Sequence, residues 1–554
     1  MTNPVSAGGP HLIFGLCWSR KIAVSVVLLV LTVGGAAAAP AGRTAPTGAC
    51  MALSQIQLAN TTVTSATMVE KGAAAALGLA RQTDLPAFCR VMAHVRAAPD
   101  SDIAVEVWLP VAGWTGVFHG NGNGGFAGAL SSGYAGMATG LRRGYATATT
   151  DMGTAPATPF NGDALIGHPR KWEDWGRLST HVMTFTGKAL AAAFYGRPAT
   201  RAYYTGCSTG GQQGLIEALY YPSDYDGILV GAPVINRTWV HAAVLRDYAA
   251  AHRTAESLLT DKKLKVLNAA AIAACTRQGR ALAGDPFVSD PLRCVFDPKE
   301  IACRAESTQA CLTPAELTTA RAFYAGPTAR HDRGVFYGWL PGSEIAGKFG
   351  WSFIESSFDG QPQFSSLFKW VFGSDWTWQS FDLDRDMPRV DAALGRAVNE
   401  ATRGSLDAFE ARGGKLIIYH GLADTLVGPG PSVAFYQRQA RELGGATRLR
   451  QMARLFLAPG MTHCAGGPGP NAFNSAIGDD APPQGSNDAD HDLFESLVQW
   501  TSGGRAPERV IATKFADDKT EVALQRPVCA FPLKAVYRGS GSRLSATSFT
   551  CSAR

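Results

Sequence analysis

From about residue 100 onward, short apolar or β-branched runs alternate with longer segments of helical spacing. Residues 103–109, 116–119, 144–150, 201–205, 228–230, 415–419 and 454–457 read as strands. Residues 180–194, closed by Gly196 and Pro198, and residues 212–219 read as helices. Strands separated by helices predict an α/β protein with a mostly parallel sheet covered on both faces.

The pattern changes over residues 235–405, which hold four cysteines, many aromatics and few clean strands. This stretch reads as a lid-like domain inserted into a core made of residues 40–234 and 406–554. Its rings include Trp339, Trp351, Phe353, Phe358, Phe364, Phe368, Trp370, Phe372, Trp376, Trp378 and Phe381. Most are expected to form the insertion's own core, with a few left to line an aromatic ligand pocket. The segment after Pro507 carries Cys529 and Cys551 and reads as a stapled tail.

The first 39 residues read as a secretory leader. Arg20 and Lys21 precede an apolar run from Ile22 to Leu31, followed by a small-residue zone with cleavage near Ala38 and Ala39. The run is shorter than the roughly 20 residues of a spanning helix, which favours cleavage over anchoring. The expected location is therefore secreted or periplasmic. Without Arg20 and Lys21 the net charge of +6 falls to +4. That near-neutral balance, with no basic block, indicates neither a nucleic-acid nor an anionic-membrane partner. Ten cysteines follow the leader, an even number that fits disulfides in an oxidising compartment. Oligomeric state is not legible.

The strongest chemical signal is Gly206-Cys207-Ser208-Thr209-Gly210-Gly211, a G-x-S-x-G directly after one expected strand and before a helix. A serine hydroxyl needs exposure and an adjacent base, and a strand-to-helix elbow supplies the exposure. The partners should follow in the order acid, then histidine. Asp424 and His463 each lie just beyond an expected strand, in that order. His463 is expected to take the Ser208 proton, and Asp424 to fix the histidine tautomer. His119, His181 and His420 read as structural because none follows a strand after Asp424; His491 sits in an acidic, helix-like stretch. An oxyanion needs backbone donors. One should be the amide of Thr209, the other Gly122 or Gly124 in the loop Gly120-Asn121-Gly122-Asn123-Gly124-Gly125. Cys207 precedes the serine and Cys464 follows the histidine, so a disulfide between them would tie the two together.

These residues resemble the tannase and feruloyl esterase family, which includes hydrolases of mono(hydroxyethyl) terephthalate. Cys207-Ser208, Asp424 and His463-Cys464 look like that family's CS-D-HC arrangement. Gly122 to Gly128, Gly144 to Ala148, Cys311 to Pro314 and Ser548 to Cys551 add to the likeness. The resemblance implies an α/β-hydrolase fold with a large lid, and a serine esterase acting on small feruloyl, galloyl or terephthaloyl esters. It also implies the pairs Cys50–Cys89, Cys207–Cys464, Cys275–Cys294, Cys303–Cys311 and Cys529–Cys551. Many family lids carry an acidic calcium loop after a cysteine. Here Cys275 is followed by Thr276-Arg277-Gln278-Gly279-Arg280, leaving only Asp285 and Asp290 as acidic candidates. Calcium wants six to eight oxygen ligands, so the site is expected to be lost or weak, with no cofactor required and calcium at most a weak ligand. The alternatives are a binding protein that kept the fold without catalysis, or an acyltransferase using the same residues.

Overall fold

In the computed structural model, residues 47–553 are described except for 74–77, 79–83, 305–309, 328–334, 336, 478–487 and 517–520. The expected leader, with Cys17, lies outside the described residues. Nine strands form the main sheet. They are β1 (Thr61–Val69), β2 (Phe88–Val95), β3 (Ile103–Pro110), β4 (Val117–Asn121), β5 (Ala146–Thr150), β6 (Arg201–Cys207), β7 (Gly227–Gly231), β8 (Lys415–Gly421) and β9 (Ala453–Ala458). Their order is β1-β2-β3-β5-β4-β6-β7-β8-β9. The first three pairings are antiparallel, and every pairing from β5 to β9 is parallel.

Period-two alternation sorts the strand side chains between two cores. Tyr204, Ile228, Val230, Leu416 and Ile418 share one core with Leu190, Leu215, Leu219 and Phe435. Their neighbours in sequence, Tyr203, Leu229, Ile417 and Tyr419, share the other with Phe494, Leu497 and Trp500. The first layer of helices therefore includes α1 (Ser179–Tyr195), α2 (Thr209–Tyr220) and the helix Gly430–Glu442, and the second includes Leu493–Thr501. The main sheet is buried on both faces, and the chain has an α/β-hydrolase-type fold with mostly parallel central strands.

β1 and β2 were not among the expected strands. β1 is Thr- and Ser-rich and half exposed, so it shows no apolar run, yet it pairs along its length with β2. The helix expected at 212–219 begins earlier, at Thr209, because the glycines Gly210 and Gly211 pack inside it.

Between β7 and β8 the chain adds helices, including α3 (Arg237–Ala251), Asp261–Arg277, Pro314–Ala325 and Leu383–Val398, and no strand of the main sheet. Trp339, Trp351, Phe364, Phe368 and Trp370 are buried there. Phe353, Phe372, Trp376, Trp378 and Phe381 are partly buried against the cluster of Phe364, Phe368 and Trp370, while Trp339 and Trp351 sit in a separate core, and Phe358 is exposed. The cluster of Phe364, Phe368 and Trp370 also takes in Phe126, Met152 and Trp175 from the loops that follow β4 and β5.

The described residues hold five disulfides: Cys50–Cys89, Cys207–Cys464, Cys275–Cys294, Cys303–Cys311 and Cys529–Cys551. The last joins two short antiparallel hairpin ladders near the C-terminus.

Candidate active site

β6 ends at Cys207 and α2 begins at Thr209, leaving Ser208 alone at the elbow with φ 63° and ψ −120°. A non-glycine residue in that region is strained, by about 1–3 kcal/mol. Its backbone is held on both sides: Ser208 N–H donates to Gly231 O at 2.9 Å, and Ser208 O accepts from Gln212 N at 3.0 Å and Val234 N at 3.3 Å. Gly206 is obligatory here, because a Cβ would sit 2.6 Å from Gly210 O.

Asp424 and His463 lie on the loops that leave the adjacent parallel strands β8 and β9. His463 Nδ1 is 2.8 Å from Asp424 Oδ2. Oδ1 of the same carboxylate accepts from the amides of Leu426 and Val427, each at 2.9 Å. Burial would raise the Asp424 carboxyl, but His463 and His420 together outweigh it and hold the group well below the usual carboxylate range. The Cys207–Cys464 disulfide, with Cα atoms 5.9 Å apart, links the residue before Ser208 to the residue after His463. Serine, histidine and acid are thus gathered at the carboxyl ends of β6, β8 and β9.

The two oxyanion candidates separate. The Gly122 amide donates to Thr205 O at 2.9 Å and is already engaged. Gly122 serves packing instead, since a Cβ there would lie 2.4 Å from the Tyr204 hydroxyl and 2.6 Å from Gly210 Cα. Gly124 faces open space, with nothing within 4 Å of a built Cβ. Thr209, as the first helical residue, has an amide with no intrahelical acceptor. The loop and helix are clamped together: Gly210 N–H donates to Asn123 O at 2.7 Å, Gln213 Nε2 donates to Asn123 Oδ1 at 3.1 Å, and the Tyr204 hydroxyl reaches Gln213 Oε1 at 2.9 Å.

The other histidines have partners of their own. His119 is buried, 2.9 Å from Thr205 Oγ1, and burial drives its pKa down to about 3. His181 meets Asp224 at 2.6 Å. His420 bonds Ser432 Oγ at 2.8 Å and Val427 O at 2.7 Å, and stands 3.4 Å from Asp424, so it braces the acid loop. His491 contacts Asp488 in a turn ahead of the helix Leu493–Thr501, not within a helix.

Phe349, Phe160 and Arg237 were not singled out from sequence. Phe349 stands edge-on to the His463 ring at 5.9 Å. It begins a row of rings through Phe353 (5.1 Å) and Phe160 (5.7 Å from Phe353). Arg237 at the start of α3 is buried, donates to Thr209 Oγ1 and Gln212 Oε1, and stacks on Trp175. Burial lowers its pKa to about 9. None has a periodic or motif signature; each acts only through the folded arrangement.

Asp285 and Asp290 do not form a calcium site. Asp285 is paired with Arg526 at 3.1 Å, and Asp290 with Lys534 and, at 3.5 Å, Arg280. Basic side chains occupy the space a cation would need, and two carboxylates fall short of a calcium shell.

Among the described residues no helix is long and apolar enough to cross a membrane. An uncharacterized esterase of Xanthomonas campestris pv. campestris is 35% identical over 96% of this chain and 95% of its own length. A probable feruloyl esterase of Arthroderma benhamiae is 33% identical, covering 81% of this chain and 82% of its own. The crystal structure of feruloyl esterase B from Aspergillus oryzae is 25% identical and superposes with a TM-score of 0.80, covering 91% of this chain and all of that one. Residues 89–552 match the family model described as tannase and feruloyl esterase. The chain belongs to the tannase and feruloyl esterase family and is a carboxylic ester hydrolase.

Proposed function

We propose that this protein is a secreted serine esterase that cleaves aromatic-acid esters of feruloyl, galloyl or terephthaloyl type through an acyl-enzyme on Ser208. The observation that carries the reading is the 2.8 Å His463–Asp424 contact on a loop cross-linked to the residue before Ser208. His463 Nε2 takes the Ser208 proton as Oγ attacks the ester carbonyl, then returns it to the leaving alcohol. Asp424 keeps Nδ1 protonated and stabilises the imidazolium. The oxyanion is met by the amides of Thr209 and Gly124. Water then repeats the sequence and releases the acid.

Residues 235–405 act as the lid, and the rings of Phe349, Phe353 and Phe160 near His463 support an aromatic acid as the acyl group. The disulfides support export. The test is a hydrolysis panel of feruloyl, galloyl, benzoyl and mono-terephthaloyl esters beside a short aliphatic ester. At least one aromatic acid should exceed the aliphatic ester in kcat/KM. Equal or lower values for all of them contradict the substrate class.

A further inference from the structure

The geometry points to a divalent transition-metal site formed by His181, Glu217 and Asp224, on the side of α2 away from the elbow. His181 lies on α1, Glu217 near the end of α2, and Asp224 in the turn leading to β7. One ligand atom from each lies within 4.8 Å of the others. A cation at bond lengths of about 2.0–2.2 Å spaces its ligands roughly 3–4 Å apart, so a small side-chain adjustment closes the set. One imidazole with two carboxylates suits zinc, manganese or cobalt better than calcium.

The second observation is Glu217 itself. It is 0% exposed, and among the described residues neither carboxylate oxygen has a hydrogen-bond donor; the group it faces is the Asp224 carboxyl, which bonds to it only when one of the two holds a proton. Buried polar atoms are nearly always satisfied, and a cation between the two carboxyls would satisfy both. Two carboxyls in contact need either a shared proton or a cation. Solvent has access, since the His181 side chain is 37% exposed.

One positive group faces the cluster. Lys188, about two turns along α1 from His181, donates to the Asp224 backbone carbonyl, leaving the side-chain carboxylate to His181. Tyr221 stacks on the His181 ring at 4.0 Å and fixes its plane. Glu217 is nine residues along from Ser208, about 13 Å at the helical rise. The ion would therefore pin α2 to α1 without entering the ester chemistry.

The test uses the full mature protein, dialysed against chelator and titrated with zinc, then manganese, by calorimetry and thermal melting. The expected result is one equivalent bound per chain, proton release on binding, and a higher melting temperature. His181→Ala and Glu217→Gln should each weaken binding at least about tenfold while chelator-treated enzyme keeps its ester turnover. His181→Ala removes a half-exposed ring, so it gives an answer even if the Glu217 variant fails to fold. No stoichiometric binding by the wild type, or undiminished binding by His181→Ala, overturns the site in favour of a shared proton between Glu217 and Asp224.

Discussion

Cys207 and Cys464 are cross-linked across 257 residues of sequence, one directly before Ser208 and the other directly after His463, the two residues proposed to exchange a proton. In the proposed mechanism the bond both stabilises the fold and holds nucleophile and base within reach of each other. The Cys207→Ser, Cys464→Ser double variant should lose about 2–5 kcal/mol of stability in denaturant unfolding. Its kcat should fall by an order of magnitude or more at temperatures where it is still folded. Unchanged kcat in the folded double variant would separate the disulfide from catalysis.

In the proposed mechanism Asp424 acts on the ester only through His463. Asp424→Asn keeps the size of the side chain but can orient the imidazole in the wrong tautomer. The loss in kcat should be about 10³–10⁴-fold, as expected of a triad acid, with KM changing little. Steady-state kinetics on a chromogenic aryl ester measure this split.

The same carboxylate carries an acid-stability signature. Its folded pKa lies below its unfolded value of about 4. Its contribution is thus complete above about pH 4 and disappears as the pH falls further toward the folded value. Urea midpoints of the wild type should drop between pH 5 and pH 3. Asp424→Asn, starting from a lower stability, should show a shallower drop over that interval.

Phe349 stands edge-on to the proposed catalytic histidine, and its backbone carbonyl accepts from Thr425, beside the proposed acid. Phe349→Ala should raise KM for an aromatic-acid ester about 3–10-fold, the value of one aromatic contact. An acetyl ester of the same alcohol should change less. Equal effects on both esters would make Phe349 a packing residue only.

Much of the candidate site could be read from the chain because its signals are local. Ser208 is announced by its glycines, and Asp424 and His463 by their places after strands whose apolar runs are plain. The central strands were legible for the same reason: they are buried on both faces. β1 was not, because an edge strand with alternating Thr and Ser carries little apolar signal. Gly122 and Gly124 could not be told apart in sequence, since the difference is a hydrogen bond to Thr205 on another strand. The calcium question likewise turned on distant residues. Arg526 and Lys534 lie more than 200 residues beyond Asp285 and Asp290, yet neutralise them. Phe349, Arg237 and Glu217 matter through neighbours that only folding supplies.

The central claim is that Ser208 carries the acyl group. Intact-protein mass spectrometry after rapid acid quench, with a slowly deacylating feruloyl or benzoyl aryl ester, tests it most directly. The wild type should gain the mass of one acyl group, localised by peptide mapping to the segment containing Ser208, and Ser208→Ala should gain none while retaining the wild-type circular dichroism. Turnover by Ser208→Ala at the wild-type rate, or an acyl group mapped to another residue, would contradict the account.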